Sequence, residues 1–157
     1  MDCTFRKITF AEFDKLNPLF PDSREQWIKY KDQRMKQFEK KDIDVYVIEH
    51  SGRFIGEVSA FYSCYSLLTE AIPNVRAYLS TFRLEEKYQG KGLGQELMRF
   101  ALDDLAKRGY TQFTIGVEED NEVAKHIYFK LGFTEEIDHG YGDEFDSTDY
   151  TLYLKTL

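Results

Sequence analysis

The chain has 157 residues and a formal net charge of −7, from 21 Lys and Arg residues against 28 Asp and Glu residues. This length suits one domain, and the 42% of hydrophobic residues, with 16% aromatic, supply a core, which excludes a disordered chain. The negative charge argues against general affinity for nucleic acid, because binding to the phosphate backbone requires clustered Lys and Arg. It is compatible with a cationic substrate or with solubility alone.

Membrane, secretory and metal-binding classes are also disfavoured. No apolar run approaches the roughly 18 residues of a membrane span, and the N-terminus lacks the apolar stretch of a secretory signal. Cys3 and Cys64 make neither a disulfide framework nor a metal site. His50, His126 and His139 are scattered without ligand spacing. We therefore expect a cytoplasmic protein with no metal and no membrane partner.

The first half of the chain is predicted to contain four strands and one helix. Asn17, Pro18 and Pro21 should break the chain, and the pair Asp22-Ser23 can cap the helix that follows. Ser51-Gly52 is a hairpin signal between two β-branched and aromatic runs. The predicted elements are a strand over 5–10, a helix over 22–40, and strands over 44–49, 53–62 and 76–84.

The second half alternates helices and strands. Apolar residues recur at helical spacing between Gly92 and Lys107, Gly109 ends that helix, and Asp120-Asn121 can cap the next one. The predicted elements are a helix over 92–107, a strand over 110–117, a helix over 121–131, and strands over 133–137 and 150–154. This order predicts a mixed α/β sheet.

A glycine-rich segment joins the strand over 76–84 to the next helix. It reads Tyr88-Gln89-Gly90-Lys91-Gly92-Leu93-Gly94-Gln95. Glycines let a ligand approach the backbone closely, and the first N–H groups of a helix lack intrahelical acceptors and carry partial positive charge. Together these features predict a site for an anion such as a pyrophosphate.

Two other phosphate-binding motifs do not match the sequence of this segment. A nucleotide P-loop requires Gly-Lys followed by Ser or Thr, but Gln95 follows Gly94. The dinucleotide fingerprint Gly-x-Gly-x-x-Gly ends on Gln95 when counted from Gly90, and on Leu97 when counted from Gly92. A nucleotide-binding protein is therefore disfavoured.

The remaining pattern, Gln89-x-x-Gly92-x-Gly94, resembles the signature of the GNAT superfamily of acetyltransferases. Downstream, residues 121–133 are similar to the second motif of that family, which is Asn-x-x-Ala, then Tyr, then Gly-Phe. The resemblance covers nearly the full chain, with specific motifs over 82–133. It implies a single N-acetyltransferase domain over 1–157. The implied fold is a mixed, mostly antiparallel sheet of six to seven strands with splayed central strands, flanked by about four helices.

The resemblance also implies acetyl-CoA as a co-substrate. The backbone of Phe82 and Leu84 would contact the pantetheine arm, as an added strand does. The pyrophosphate would be held by the backbone of six consecutive residues: Gln89, Gly90, Lys91, Gly92, Leu93 and Gly94. The Lys91 side chain could add a charge or be a solvated surface lysine. Asn121 matches a family asparagine near the pantetheine arm, and it could instead, or also, be a helix N-cap.

Acetyl transfer from a thioester to an amine requires a neutral amine, a stabilised carbonyl oxygen and a proton for the departing thiolate. By the resemblance, Tyr128 matches the tyrosine that commonly protonates the sulfur, although it could be a packed core aromatic. Glu118 is the candidate for the general base, with Glu119 and Glu57 as alternatives, and each could be a solvated charge. Some relatives carry a glutamate two positions before Glu118, where this chain has Gly116.

The predicted function is therefore direct acetyl transfer to a primary amine of a small molecule or a protein. The alternative is a non-catalytic acyl-CoA-binding sensor module, which Tyr128 disfavours because a sensor needs no proton donor at sulfur. The acidic loop Asp143-Glu144-Phe145-Asp146 favours a cationic amine as the partner. We expect no nucleic-acid partner, and any self-association is expected to give a homodimer.

Overall fold

The structure is a computed structural model that describes residues 1–20, 24–142 and 148–157. This part of the chain contains seven strands, three α-helices and two 3₁₀ segments. The strands are β1 Thr4–Lys7, β2 Ile43–His50, β3 Arg53–Phe61, β4 Arg76–Leu84, β5 Gln112–Glu118, β6 Glu135–Gly140 and β7 Tyr150–Thr156. The helices are α1 Arg24–Glu39, α2 Leu93–Lys107 and α3 Glu122–Lys130, and the 3₁₀ segments are Phe10–Leu19 and Glu86–Tyr88.

The chain divides into two compact units. Unit 1 comprises Met1–Ala60 and Thr81–Ala101, and unit 2 comprises Phe61–Ser80 and Leu102–Leu157. The strand order is β1-β2-β3-β4 in unit 1 and β4-β5-β7-β6 in unit 2, because β4 contributes residues to both. The mixed α/β class with seven strands confirms the predicted fold class. The expectation of one domain over the whole chain stays a prediction.

The 3₁₀ helix of unit 1, Phe10–Leu19, lies where we expected a break at Asn17 and Pro18, and that expectation was wrong. Its N-terminus is stabilised by Glu12, whose carboxylate accepts from the Thr9 backbone N–H at 2.9 Å. The helix buries three apolar side chains at a spacing of three residues: Phe13, Leu16 and Leu19. This spacing matches the three residues per turn of a 3₁₀ helix, so burial of one face explains the geometry.

The β2–β3 hairpin and helix α1 follow the prediction for unit 1. Ser51 and Gly52 have φ values of 51° and 75°, and two positive φ values are what a two-residue type I′ hairpin requires. Trp27 of α1 is buried, and its ring stacks on that of Phe20 with a centroid distance of 3.8 Å. The predicted helix cap at Asp22-Ser23 lies outside the described residues.

The sheet of unit 2 contains a parallel pair whose register ends partway along both strands. β4 pairs with β5 from Arg76–Gln112 to Leu79–Ile115, although both strands continue beyond these residues. β5 and β6 each pair antiparallel with β7. The early end of the β4–β5 register agrees with the predicted splay of the central strands.

The long apolar face of α2 anchors the glycine-rich segment. Leu97, Met98, Ala101 and Leu105 are fully buried, so the start of this helix is held in place by core packing. Among the helices of the described ranges, none has both the length and the apolar character needed to cross a membrane.

Candidate active site

The glycine-rich segment of unit 1 adopts backbone conformations that favour glycine. Gly90 and Gly92 have φ values of +77° and +80°, in the left-handed region. A Cβ atom at either position would meet nothing within 4 Å, so the backbone conformation, not packing, explains these two glycines. The residues Gln89–Gly92 are exposed, whereas the next residue, Leu93, is buried. The segment therefore presents main chain to solvent.

Gly94 is explained by packing against Phe82. A Cβ atom at Gly94 would lie 2.8 Å from Cζ of the Phe82 ring, which is closer than real side chains approach. The Gln89 side chain donates from Nε2 to the Leu84 carbonyl at 2.9 Å, which ties the segment to the end of β4. The structure thus brings together Phe82, Leu84 and the glycine-rich segment within unit 1.

The N-terminus of α2 supplies positive electrostatic potential next to the exposed glycines. Its first intrahelical hydrogen bond runs from the Glu96 N–H to the Gly92 carbonyl at 3.1 Å. In an α-helix the N–H groups before that point have no intrahelical acceptor, and the helix dipole adds partial positive charge there. This combination is the usual setting for binding a phosphate or pyrophosphate.

In unit 2, Glu118 and Asn121 lie at the turn from β5 to α3. The Asn121 side chain caps α3 by accepting from the Ala124 N–H at 3.1 Å, and the Asn121 N–H donates to the Glu118 carbonyl at 3.0 Å. The predicted capping role is therefore confirmed. The pantetheine role of Asn121 and the base role of Glu118, whose side chain is half-buried, stay predictions.

Tyr128 is buried on α3 of unit 2, with 8% of its surface exposed. Its ring packs edge-on against Phe133 at a centroid distance of 6.3 Å, so the residue does pack in the core. Burial raises the pKa of the Tyr128 phenol above its ordinary value, because desolvation disfavours the phenolate. The hydroxyl is therefore protonated at neutral pH, as a proton donor must be.

The alternative base Glu57 is engaged with a buried cation in unit 1. Its Oε1 atom accepts from Arg34 Nη2 at 2.9 Å, and the two side chains are 0% and 1% exposed. Arg34 also contacts the Ser59 hydroxyl. Arg34 Nε and Nη1 and Glu57 Oε2 find no hydrogen-bond partner within the described ranges. Glu57 is buried and its Oε1 atom is occupied by the Arg34 guanidinium, so this geometry does not present the carboxylate to a substrate amine.

Glu70 and Tyr150 form a polar contact in unit 2 that the sequence pattern did not single out. Glu70 is fully buried, and its Oε2 atom lies 3.4 Å from the Tyr150 hydroxyl. The burial of the Glu70 carboxylate is the feature that singles it out, but a single sequence does not show which loop residues are buried. The two residues are 80 positions apart.

His50 and His139 have ordinary polar partners. His50 Nδ1 lies 2.8 Å from the Asp2 carbonyl, and His139 Nε2 lies 2.9 Å from a Glu136 carboxylate oxygen. In the part of the chain that the structure describes, no group of three or more His, Cys, Asp or Glu side chains is arranged to hold a metal ion. The acidic loop predicted to attract the substrate, residues 143–146, lies outside the described ranges.

Known proteins provide an independent comparison. The N-alpha-acetyltransferase 30 of Schizosaccharomyces pombe is 30% identical over 88 residues, which are 56% of this chain and 55% of that protein. The spermine/spermidine N(1)-acetyltransferase of Bacillus subtilis is 33% identical over 79 residues, which are 47% of this chain and 49% of that protein. The chain thus spans about half the length of the curated relatives it matches.

The fold and the family agree with these matches. The structure is similar to that of the PaiA N-acetyltransferase from Thermoplasma acidophilum in complex with coenzyme A, with a TM-score of 0.71, 19% identity and full coverage of both chains. At that identity the likeness shows the fold alone. The family model described as "Acetyltransferase (GNAT) family" matches residues 10–133, which confirms the resemblance found in the sequence. The chain belongs to the acetyltransferase (GNAT) family.

Proposed function

We propose that the protein is an acetyl-CoA-dependent N-acetyltransferase that moves an acetyl group directly to a primary amine of a small molecule or a protein. The observation that carries this proposal is the exposed main chain of Gln89–Gly92 at the N-terminus of α2. Coenzyme A contains a pyrophosphate, which is the type of anion that such a backbone arrangement binds.

The other cofactor contacts follow from β4. Phe82 and Leu84 are two residues apart on the strand, so their backbone groups point to the same edge. The pantetheine arm carries amide groups that can pair with such an edge as an added strand would. Two findings support this assignment. The chain belongs to the family, and β4 spans the predicted residues, 76–84.

Tyr128 is proposed to protonate the departing sulfur. A thiolate leaves more readily when a nearby acid supplies a proton as the tetrahedral intermediate collapses. The buried phenol has a raised pKa, so it holds its proton at neutral pH; the same desolvation makes it a weaker acid, so the transfer requires a developing thiolate next to the hydroxyl. After product release the phenolate regains a proton from solvent.

The acceptor must lose a proton before it attacks. A free alkylamine has a pKa of ~10.4, so only about one molecule in a few thousand is neutral at pH 7. Glu118, at the end of β5, is the carboxylate proposed from the sequence for this role. We propose a cationic acceptor, on the net charge of −7 and on the polyamine named as the substrate of the Bacillus subtilis relative.

Acetyl-CoA titration followed by a thiol-release assay tests the proposal. Calorimetry should detect acetyl-CoA binding in the micromolar range common for enzyme substrates. Thiol release should then require an added amine, tested with spermidine, a peptide with a free N-terminus and a lysine-containing peptide with a blocked N-terminus. Binding without thiol release for any amine would support the sensor alternative, and no binding would refute the proposal.

A further inference from the structure

We propose that Tyr150 and Glu70, in place of Glu118, act as a proton-accepting pair for the acceptor amine, a role that rests on the proposed acetyl transfer. Tyr150 contacts the amine, and Glu70 receives the proton through the Tyr150 hydroxyl. Both residues belong to unit 2, and neither matches a motif in the sequence.

Two glycines make room for the Tyr150 ring. A Cβ atom at Gly116 on β5 would lie 2.7 Å from Tyr150 Cδ2, and a Cβ atom at Gly140 on β6 would overlap Tyr150 Cζ and the hydroxyl. Neither glycine has a positive φ value, so backbone conformation does not account for them. The space that two side chains would otherwise fill is instead occupied by one phenol.

The ring lies beside the point on β5 where pairing with β4 stops. Leu79–Ile115 is the last pair of the parallel register, and Gly116 is the next residue of β5. This part of β5 ends at Glu118, the carboxylate proposed from the sequence to meet the acceptor amine. Tyr150 as a whole residue is half-buried, between full burial and full exposure to bulk water.

Glu70 is held rigidly behind Tyr150. Its Oε1 atom accepts from the backbone N–H groups of Tyr65 and Ser66 at 2.7 and 2.8 Å, and its own carbonyl accepts from the Thr114 hydroxyl at 2.7 Å. These hydrogen bonds fix the loop and occupy the Oε1 atom of Glu70. None of them involves Oε2, which faces the Tyr150 hydroxyl.

The contact between Tyr150 Oη and Glu70 Oε2 measures 3.4 Å. This is long for an O–H···O hydrogen bond, but catalytic hydrogen bonds in ligand-free sites are often long and tighten when substrate binds. Because the carboxylate is fully buried, water does not compete for Oε2 as it would at the surface.

Within residues 24–142 and 148–157, charged groups near the pair come from β4, β5 and β6. Glu118 of β5 is the register partner of Tyr150. Thr69, the residue before Glu70, contacts the other two. Its carbonyl accepts from Arg76 of β4 at 2.8 Å, and its hydroxyl donates to Asp138 of β6 at 2.5 Å. The Thr69 hydroxyl lowers the pKa of Asp138, which keeps that carboxyl ionised.

The proton step is balanced within these groups. The ammonium N–H bond breaks as its proton passes to Tyr150 Oη, and the Tyr150 O–H proton moves to Glu70 Oε2. The products are a neutral amine, an unchanged phenol and a neutral Glu70 carboxylic acid. The amine then attacks the acetyl carbonyl, and Glu70 later returns its proton to solvent through Tyr150.

Tyr150→Phe and Glu70→Gln test this pair, with Tyr153→Phe on the same strand as the matched control. The probes are spermidine and a peptide with a free N-terminus. We expect kcat/KM at pH 7 to fall about 10²-fold in both variants. The deficit should shrink as pH rises toward ~10.4, because more amine then arrives neutral. Tyr153 packs against Phe129, and its hydroxyl is not part of the pair, so the control should match the wild type.

A deficit that stays constant across pH indicates a packing role and overturns the inference, as does an equal loss in Tyr153→Phe. If Tyr150→Phe does not fold, Glu70→Gln decides, because Gln keeps the acceptor for Tyr65 and Ser66 while removing the negative charge. Wild-type protein that binds acetyl-CoA but acetylates neither probe supports the sensor alternative, and the inference then falls together with the proposed function. Wild-type protein that fails to bind acetyl-CoA refutes the proposed function itself.

Discussion

The segment Phe82–Gly94 of unit 1 and the segment Glu118–Tyr128 of unit 2 differ in which atoms they offer for chemistry. The first offers main chain, since Gly90 and Gly92 adopt positive φ values and the turn is exposed. The second offers side chains, the Asn121 amide and the buried Tyr128 phenol. Backbone geometry should thus control cofactor binding by the first segment, whereas the Tyr128 hydroxyl should control the reactivity of the second.

This difference predicts two separable kinds of damage. A side chain added at Gly92 should abolish acetyl-CoA binding and thereby all later steps. Removal of the Tyr128 hydroxyl should leave binding intact and slow the reaction. Variants of the two segments that gave the same kinetic defect would contradict the distinction.

The largest effect is expected for Gly92→Val. Valine is β-branched and strongly disfavours the φ of +80° at this position, so the turn must rearrange and its N–H groups lose their common direction. We expect acetyl-CoA affinity to fall by more than about 10³-fold from a micromolar starting value. Isothermal titration calorimetry measures it directly.

Gly52→Val is the matched control for that experiment. Gly52 has a φ of +75° and nothing within 4 Å of a Cβ atom, so it carries the same backbone strain in the β2–β3 hairpin. The control should lower the melting temperature in the same way and leave acetyl-CoA affinity unchanged. Undiminished binding in Gly92→Val would remove the cofactor role of the segment.

The second effect is a loss of turnover in Tyr128→Phe. The ring and its contact with Phe133 remain, and only the hydroxyl is deleted. We expect kcat to fall by about 10²–10⁴-fold while acetyl-CoA affinity stays near that of the wild type. Tyr110→Phe is the control, because Tyr110 is equally buried, with 8% exposed. Wild-type turnover in Tyr128→Phe would make Tyr128 a core aromatic only.

The sequence predicts the main-chain segment well because each feature has a local cause. Glycine is favoured wherever φ is positive, so Gly90 and Gly92 indicate the turn directly in the sequence. The predicted range of β4 is also the range at which the strand occurs. Gly94 is a partial exception. Its cause is the Phe82 ring twelve residues earlier, a packing constraint that the pattern alone could not separate from ligand binding.

Side-chain partnerships far apart in the sequence could not be predicted. Arg34 and Glu57 are 23 positions apart, and Glu70 and Tyr150 are 80 apart, so only the folded chain reveals that they meet. The 3₁₀ helix Phe10–Leu19 was missed for a related reason. Its stability comes from burial of one face, which outweighs the local signal of Pro18.

A smaller effect is expected from salt. If the acceptor is a cation attracted by the negative protein, its KM should rise several-fold between about 0.01 M and about 1 M salt, as the Debye length shrinks from about 30 Å to about 3 Å. Spermidine should respond more than a peptide whose only positive charge is its N-terminus, because it carries more charge. Steady-state kinetics with both acceptors measures the difference. Equal responses, or an anionic best acceptor, would contradict the prediction.

The smallest effect concerns stability alone, at the ion pair of Arg6 and Glu12 in unit 1, outside the cofactor segment. Arg6 bonds both Glu12 carboxylate oxygens, at 2.9 and 2.6 Å, and these hydrogen bonds lower the pKa of Glu12 to about 2. Because the folded pKa lies below the ordinary 4.5, the stabilisation is present above about pH 4.5 and is lost as pH falls toward 2.

Glu12→Gln should therefore lower the free energy of unfolding at pH 7 and not at pH 2. The two side chains remain 32% and 17% exposed, so solvent screens the pair, and we expect a loss below about 1 kcal/mol. This corresponds to at most about 2–4 °C in the melting temperature. The exposed Glu39→Gln is the control, and calorimetry of acetyl-CoA binding should find both variants unchanged. A melting difference that persists at pH 2 would show that Glu12 stabilises the 3₁₀ helix by some means other than its charge.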